Sequence, residues 1–316
     1  MVLIAALAAA LVATPLAMAL ARRVDLLDHP GDLKVQTAAV PYLGGLGVAA
    51  GLVAGVAPVH PSLLLPLGLA LALGLVDDAR HIGAVTRLAA EVAVGLMAAA
   101  VLPVRLPGAL GVAAVAVVVV WLVNGVNMLD GLDALAGGVA LMSAVGFAVV
   151  LDGDARTIAL ALAGGLGGFL VFNRPPARVY LGDGGAYLVG TALAVLLALA
   201  WSGDRPLAVS LGSLPLIACP AAELGFAVLR RVRSGRRLFA GDRSHVYDQL
   251  VSGGWSPKRA VGACVLAQAL LSAIAVGAVH LSPAAAGAVT GACALGLLVL
   301  VAGLGFLTST APETAS

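Results

Sequence analysis

Apolar runs of about 17 to 23 residues recur from one end of this 316-residue chain to the other, broken by short clusters of charge, proline and glycine. A run of that length crosses the hydrocarbon layer of a membrane as a helix and has no place in repeated copies on a water-soluble surface. Lys and Arg number 18 and Asp and Glu 16, together 11% of the chain against a usual share of roughly 25%. The predicted fold is therefore all-α: a single polytopic membrane domain, residues 1–316, of about eleven transmembrane helices, with ten as the alternative count. A net charge of +2 and the lack of a basic tail argue against nucleic acid as a partner. Cys219, Cys264 and Cys293 stand alone in apolar segments, as small packing residues do.

The runs are Val2 to Leu20, Leu43 to Val59, Leu63 to Val76, Leu88 to Leu102, Ala109 to Val123, Ala134 to Leu151, Thr157 to Phe172, Ala186 to Trp201, Leu207 to Leu229, Ala260 to His280 and Pro283 to Leu307. The first is expected to be a retained helix, because Arg22 and Arg23 follow it and do not precede it. The ninth contains Pro215, Pro220 and Glu223 and is expected to be kinked or broken. Fifteen of the 18 basic residues fall in the loops at about 21–42, 77–87, 173–185 and 230–259, whereas Arg105, Arg156 and Arg205 lie on the other side. The positive-inside rule then predicts that these loops, with the one at 124–133, are cytoplasmic and that the N-terminus is outside.

Ten of the 16 acids fall in the same loops, and orientation does not explain them, because acids contribute little to it. Asp77 and Asp78 are adjacent carboxylates that repel unless a cation compensates. Asp130 and Asp133 are three apart in a segment without basic residues, with Asn127 another three back; if helical they share a face, and if not they, with Asn124, are turn and capping residues. Asn173 to Gly185 joins Tyr180 to a Gly-Asp-Gly-Gly run around Asp183, where glycines allow close approach of a phosphate and a carboxylate suits Mg²⁺. Arg230 to Arg259 carries eight basic residues and His245, a pattern that topology alone also accounts for. One cytoplasmic face with four such clusters suits a metal-and-phosphate site at the membrane surface.

In order and wording these motifs resemble those of the polyprenyl-phosphate N-acetylhexosamine-1-phosphate transferase family, glycosyltransferase family 4. The resemblance runs from Asp28-His29-Pro30, Lys34 and Val40-Pro41-Tyr42-Leu43-Gly44-Gly45, through Asp77-Asp78 and Asn124 to Ala136, to Asn173 to Gly185, and reaches about Leu250. It implies Mg²⁺-dependent transfer of N-acetylhexosamine 1-phosphate, with GlcNAc favoured, from a UDP-sugar to a membrane polyprenyl phosphate with release of UMP. The setting implied is the inner membrane of a bacterium, as the first membrane step of cell-envelope glycan synthesis. Mn²⁺ is the alternative metal, and a homodimer is an assembly the family allows.

Carried over by position, Asp183 is the main metal ligand with Asp78 beside it, and Asp77 and Asp78 lie near the lipid phosphate, where either is a candidate base. Asn173 and Tyr180 hold the uridine, and Asn124, Asn127, Asp130 and Asp133 shape the nucleotide-metal pocket. Lys34, Arg243 and His245 contact phosphates, His245 being counted with the catalytic group. Three departures bear on the donor: Gln36 where His is usual, Ala186 where Ser is usual, and a last loop that keeps His245 alone of a three-histidine run, with Tyr247 as a substitute. The CDP-alcohol phosphatidyltransferase motif needs an Arg that Asp130 to Leu135 lacks. The remaining alternatives are a non-catalytic scaffold of the same fold and a secondary transporter, for which Glu91 and Glu223 are the acids deep enough in the membrane.

Overall fold

The computed structural model describes residues 1–29, 39–103, 105, 108–235 and 244–307. Helix α1 (Val2–Arg23) leads into a two-stranded antiparallel ribbon, β1 (Leu27–Asp28) and β2 (Val40–Pro41), in which Leu27 faces Pro41 and Asp28 faces Val40. Then follow α2 (Gly44–Val59), α3 (Leu64–Arg80), α4 (Ala84–Val101), α5 (Gly108–Leu129), α6 (Leu135–Val150), α7 (Gly153–Asn173) and α8 (Gly182–Ala200). The ninth apolar run is split into α9 (Leu207–Gly212), a 3₁₀ turn (Leu214–Ile217) and α10 (Ala218–Arg233), with the break at Pro215 as expected. A short α11 (Val246–Ser252), α12 (Pro257–Ala278) and α13 (Pro283–Gly303) complete the chain.

Among the described residues nine helical segments are long and apolar enough to cross a membrane, counting Leu207–Arg233 as one. The two shorter apolar helices, α2 and α6, supply the other two predicted crossings. The protein is an all-α polytopic membrane protein. At 16 residues, α2 and α6 are each about 24 Å long, a little less than the hydrocarbon thickness.

Helix α8 forms the centre of the bundle. Every residue from Gly184 to Ala200 is buried, so this helix has no lipid-facing stripe, and α3, α5 and α2 pack around it. Helices α1, α2 and α7 pack together on one side, α4 lies outside α3 and α5, and α6 packs with α7 and α12. In contrast, α13 leaves Leu295, Val299 and Leu300 exposed, as a bilayer-facing helix does. Without a hydrophobic drive between helices in lipid, close backbone approach supplies the packing energy, and glycine permits it. A side chain at Gly74 of α3 would collide with the backbone of Asp183 and Gly184 in α8. That contact seats the N-terminus of α8 against the end of α3, which places the two acidic motifs together.

The helix ends correct several predicted boundaries. Asp77 and Asp78 lie in the last turn of α3 and not after it, Asn124 and Asn127 are inside α5, and Asp183 is in the first turn of α8. Each helix extends beyond its apolar run, and the polar residues there find partners on neighbouring helices.

Candidate active site

The sequence-predicted residues that the structure describes gather at one end of the bundle. Gly182 sits at φ +73°, a left-handed conformation that glycine adopts without strain, and this turn delivers Asp183 to the helix start. Asp78 holds that start from below: its two carboxylate oxygens accept the N–H groups of Asp183 (2.9 Å) and Gly184 (3.1 Å). An α-helix leaves such N–H groups without partners in its own chain, and a carboxylate from α3 supplies them here. Asp78, expected to be a metal neighbour, thus positions Asp183.

Asp183 itself takes the amide of Asn127 on Oδ1 at 2.5 Å, and its other oxygen takes no hydrogen bond from the described residues. Asp77 is buried, 5% exposed, and is surrounded: Ile82 N–H donates to Oδ1 (2.7 Å), the Tyr187 hydroxyl donates to Oδ2 (2.6 Å), and the Arg87 guanidinium stands 3.7 Å away. A carboxylate with these partners is held in place, a poor arrangement for a freely moving base. Asn124 reaches the other way, donating to Glu91 Oε2 (2.6 Å) and to the Val120 carbonyl (2.9 Å).

Asp130 stands in the turn after α5. Loss of solvent, reinforced by Asp183 and Asp78, raises its carboxyl well above the ordinary carboxylate range, against the opposing pull of the Gly182 N–H. Asp133 accepts the Ala177 N–H (2.9 Å), which ties this turn to the Asn173–Gly185 segment. Asn173 is 4% exposed and uses both ends of its amide: Oδ1 accepts from Ala134 N–H and Nδ2 donates to the Val179 carbonyl, each at 2.8 Å. Ala134 is the N-cap of α6 and carries no capping side chain, so the cap expected from the neighbouring acids comes from Asn173, 39 residues away.

The first loop joins through the backbone. Gly44 and Gly45 donate to the carbonyls of Tyr180 (3.0 Å) and Leu181 (3.1 Å), and Tyr180 N–H donates to the Pro41 carbonyl (2.8 Å). The Tyr180 ring lies 6.0 Å from that of Tyr42, whose hydroxyl donates to Asp28 (2.7 Å). Burial, with Asp133, Asp28 and Asp130 nearby, pushes the Tyr180 phenol up to about 12, so it stays a hydrogen-bond donor.

His245 begins α11. Its Nδ1 pairs with buried Glu223 at 2.9 Å, and Arg230, 1% exposed, stands 3.7 Å from the same carboxylate oxygen. The His245 ring stacks on Tyr247 (5.6 Å, 8°), and the Tyr247 hydroxyl packs so closely against Gly131 that any side chain at 131 would strike it. The single remaining histidine is therefore docked on the Asp130-Gly131-Leu132-Asp133 turn. Glu223 is explained by this pairing without a transport role. Lys34 and Arg243 lie outside the described residues, as do Asp32, Gln36 and Asp242.

Three participants were not singled out as site residues by sequence: Arg87 counted only as a topology residue, Glu91 only as a deep acid, and Tyr187 not at all. The available signals were the i, i+4 spacing of Arg87 and Glu91 and that of Asp183 and Tyr187.

No three Asp, Glu, His or Cys side chains among the described residues form a closed metal cage. One carboxylate with an open oxygen, backed by other carboxylates, fits Mg²⁺, which binds through one or two carboxylates and completes its shell with water and phosphate.

The family described as glycosyl transferase family 4 matches residues 60–201, the stretch from the start of α3 through α8. Similar proteins include the probable undecaprenyl-phosphate N-acetylglucosaminyl 1-phosphate transferase of Bacillus subtilis, 26% identical over 82% of this chain and 78% of its own length. The decaprenyl-phosphate N-acetylglucosaminephosphotransferase of Mycobacterium leprae is 28% identical over 91% and 84%, respectively. The undecaprenyl-phosphate alpha-N-acetylglucosaminyl 1-phosphate transferase of Escherichia coli is 27% identical over 81% and 77%. With the motifs in family order and brought to one end of a helical bundle, this chain is similar to glycosyl transferase family 4 over residues 60–201.

Proposed function

We propose that this protein transfers N-acetylglucosamine 1-phosphate from UDP-N-acetylglucosamine to a polyprenyl phosphate, giving the polyprenyl diphosphate sugar and UMP. The observation that carries this reading is the joining of three separate motifs at Asp183: Asp78 holds its backbone, Asn127 holds one carboxylate oxygen, and the Asp130 turn reaches Gly182 beside it. The names of the related proteins support the same reaction.

An oxygen of the lipid phosphate attacks the β-phosphorus of the donor, the bond from that phosphorus to the bridging oxygen breaks, and the electron pair leaves with UMP. A phosphate monoester is ionised at neutral pH, so the attack needs no base. The protein's work is positioning and charge neutralisation. Mg²⁺, when bound, would supply neutralisation of the diphosphate and polarisation of the reacting phosphorus. Asp183 would be its principal ligand, Asp78 and Asn127 keep Asp183 in place, and Tyr180 offers an aromatic face and a hydroxyl to the uridine. Asn173 acts on that site by fixing the Val179-Tyr180 backbone. His245, steadied by Glu223 and Tyr247, contacts phosphate from the Gly131 side. The excess of basic residues in the loops around the site supports its lying at the cytoplasmic face with the N-terminus outside, and the bacterial sources of the related proteins support an inner membrane.

Purified protein in detergent should release UMP from UDP-N-acetylglucosamine only when both undecaprenyl phosphate and Mg²⁺ are added. Folded protein that releases no UMP across a panel of UDP-sugars would refute the assignment.

A further inference from the structure

Glu91 lies about two turns into α4, 1% exposed, inside a membrane protein. An acid at that depth is costly and needs an explanation. One oxygen accepts the Asn124 amide, and the other has no hydrogen bond, only the Arg87 guanidinium 3.6 Å away. Arg87 in turn reaches Asp77, Asp77 takes the Tyr187 hydroxyl, and Asn127, one turn beyond Asn124 on α5, takes hold of Asp183. These contacts link polar residues of α4, α3, α8 and α5 beside Asp183.

The chemistry of these contacts sets the orientation of one amide. Both neighbours of Asn124 Nδ2, the Glu91 carboxylate and the Val120 carbonyl, are pure acceptors, so the nitrogen must face them and both of its hydrogens are used. Only the Asn124 oxygen is left for anything else. We propose that Glu91 is a positioning residue: it turns Asn124 so that the amide presents an acceptor to the nucleotide donor, and it steadies Arg87 beside Asp77. The ligand chemistry is that of a donor group on the nucleotide sugar, an N–H or a hydroxyl. The inference rests on the transferase reading above.

The test is steady-state kinetics of Glu91→Gln with donor and acceptor varied separately, alongside thermal unfolding in detergent. Without the carboxylate the Asn124 amide keeps only the Val120 carbonyl as a fixed acceptor, so its orientation is less firmly held, and Arg87 loses its tether. The expected result is a donor KM raised about tenfold, an acceptor KM within about twofold, and a Tm within about 3 °C of the parent. Asn124→Ala should show the same donor effect, and the double variant no further loss, because both changes remove one interaction. Unchanged kinetics in both single variants overturns the proposal. So does a loss spread equally over donor and acceptor together with a fall in Tm, which marks a structural acid. If Glu91→Gln does not fold, Asn124→Ala alone decides, and a wild-type donor KM there overturns the proposal. Parent protein that releases no UMP would refute the transferase reading instead, a distinct outcome.

Discussion

The two ends of this bundle both carry charge, and they use it differently. At the end opposite the acidic motifs, Arg105 donates to the carbonyls of Ser202 and Arg205, and Arg205 pairs with Asp152, whose side chain is 87% exposed. These contacts tie off loop and helix ends in water. At the other end, Asp77, Asp78, Asp183 and Glu91 are held by donors from different helices, with partners 33 to 110 residues apart. A charged residue at a membrane surface is ordinary. Several like charges drawn together and oriented by cross-helix hydrogen bonds are costly, and that cost marks a functional site.

The largest effect should come from the centre of that network. Asp183→Asn keeps the shape and removes the charge, and turnover should fall by about a thousandfold or more with the yield of folded protein retained. Activity near the parent level would break the comparison at its strongest point. Gly74→Val forces α3 away from the start of α8, where the added atoms meet backbone and not a movable side chain. Folded protein recovered from detergent extraction, followed by size-exclusion chromatography, should fall severely; the same change at Gly262, where no atoms stand within 4 Å, should be tolerated.

Tyr187→Phe leaves the buried Asp77 carboxylate without its 2.6 Å donor. The expected cost is about 1–3 kcal/mol, read as a lower unfolding midpoint together with a lower kcat. The smallest effect belongs to the opposite end. Arg205 lowers the Asp152 carboxyl below its ordinary value, so the pair contributes stability above the unfolded pKa and loses it as pH falls through the folded one. Arg205→Gln should lower Tm by at most about 1–2 °C at pH 7, and the gap to the parent should close on acidification below pH ~4. A gap that persists in acid would mean that Arg205 works through its other contacts.

Much of this architecture was legible without coordinates. Run length and polarity predicted the eleven crossings, Pro215 predicted the break between α9 and α10, and the separation of Arg105, Arg156 and Arg205 from the other basic residues predicted the two ends. Helix boundaries were less legible: Asp77, Asp78, Asn124, Asn127 and Asp183 all proved helical, because polar residues in a terminal turn break a hydropathy pattern without breaking a helix. The motif residues were legible as a group, but their individual duties were not. Asn173, expected to touch uridine, is occupied at both ends by backbone, and Glu223, weighed as a transport acid, orients His245.

The division has a physical origin. Hydropathy, charge bias and helix breakers act over a few residues, and the membrane turns them directly into crossings and sides, so the amino-acid order alone determined the fold class and the end that carries the acids. Which carboxylate is a ligand, which is a cap and which is a brace depends on the register between helices far apart in the chain. That register is decided by backbone contacts such as Gly74 on Asp183 and Gly184, and only the tertiary structure contains it.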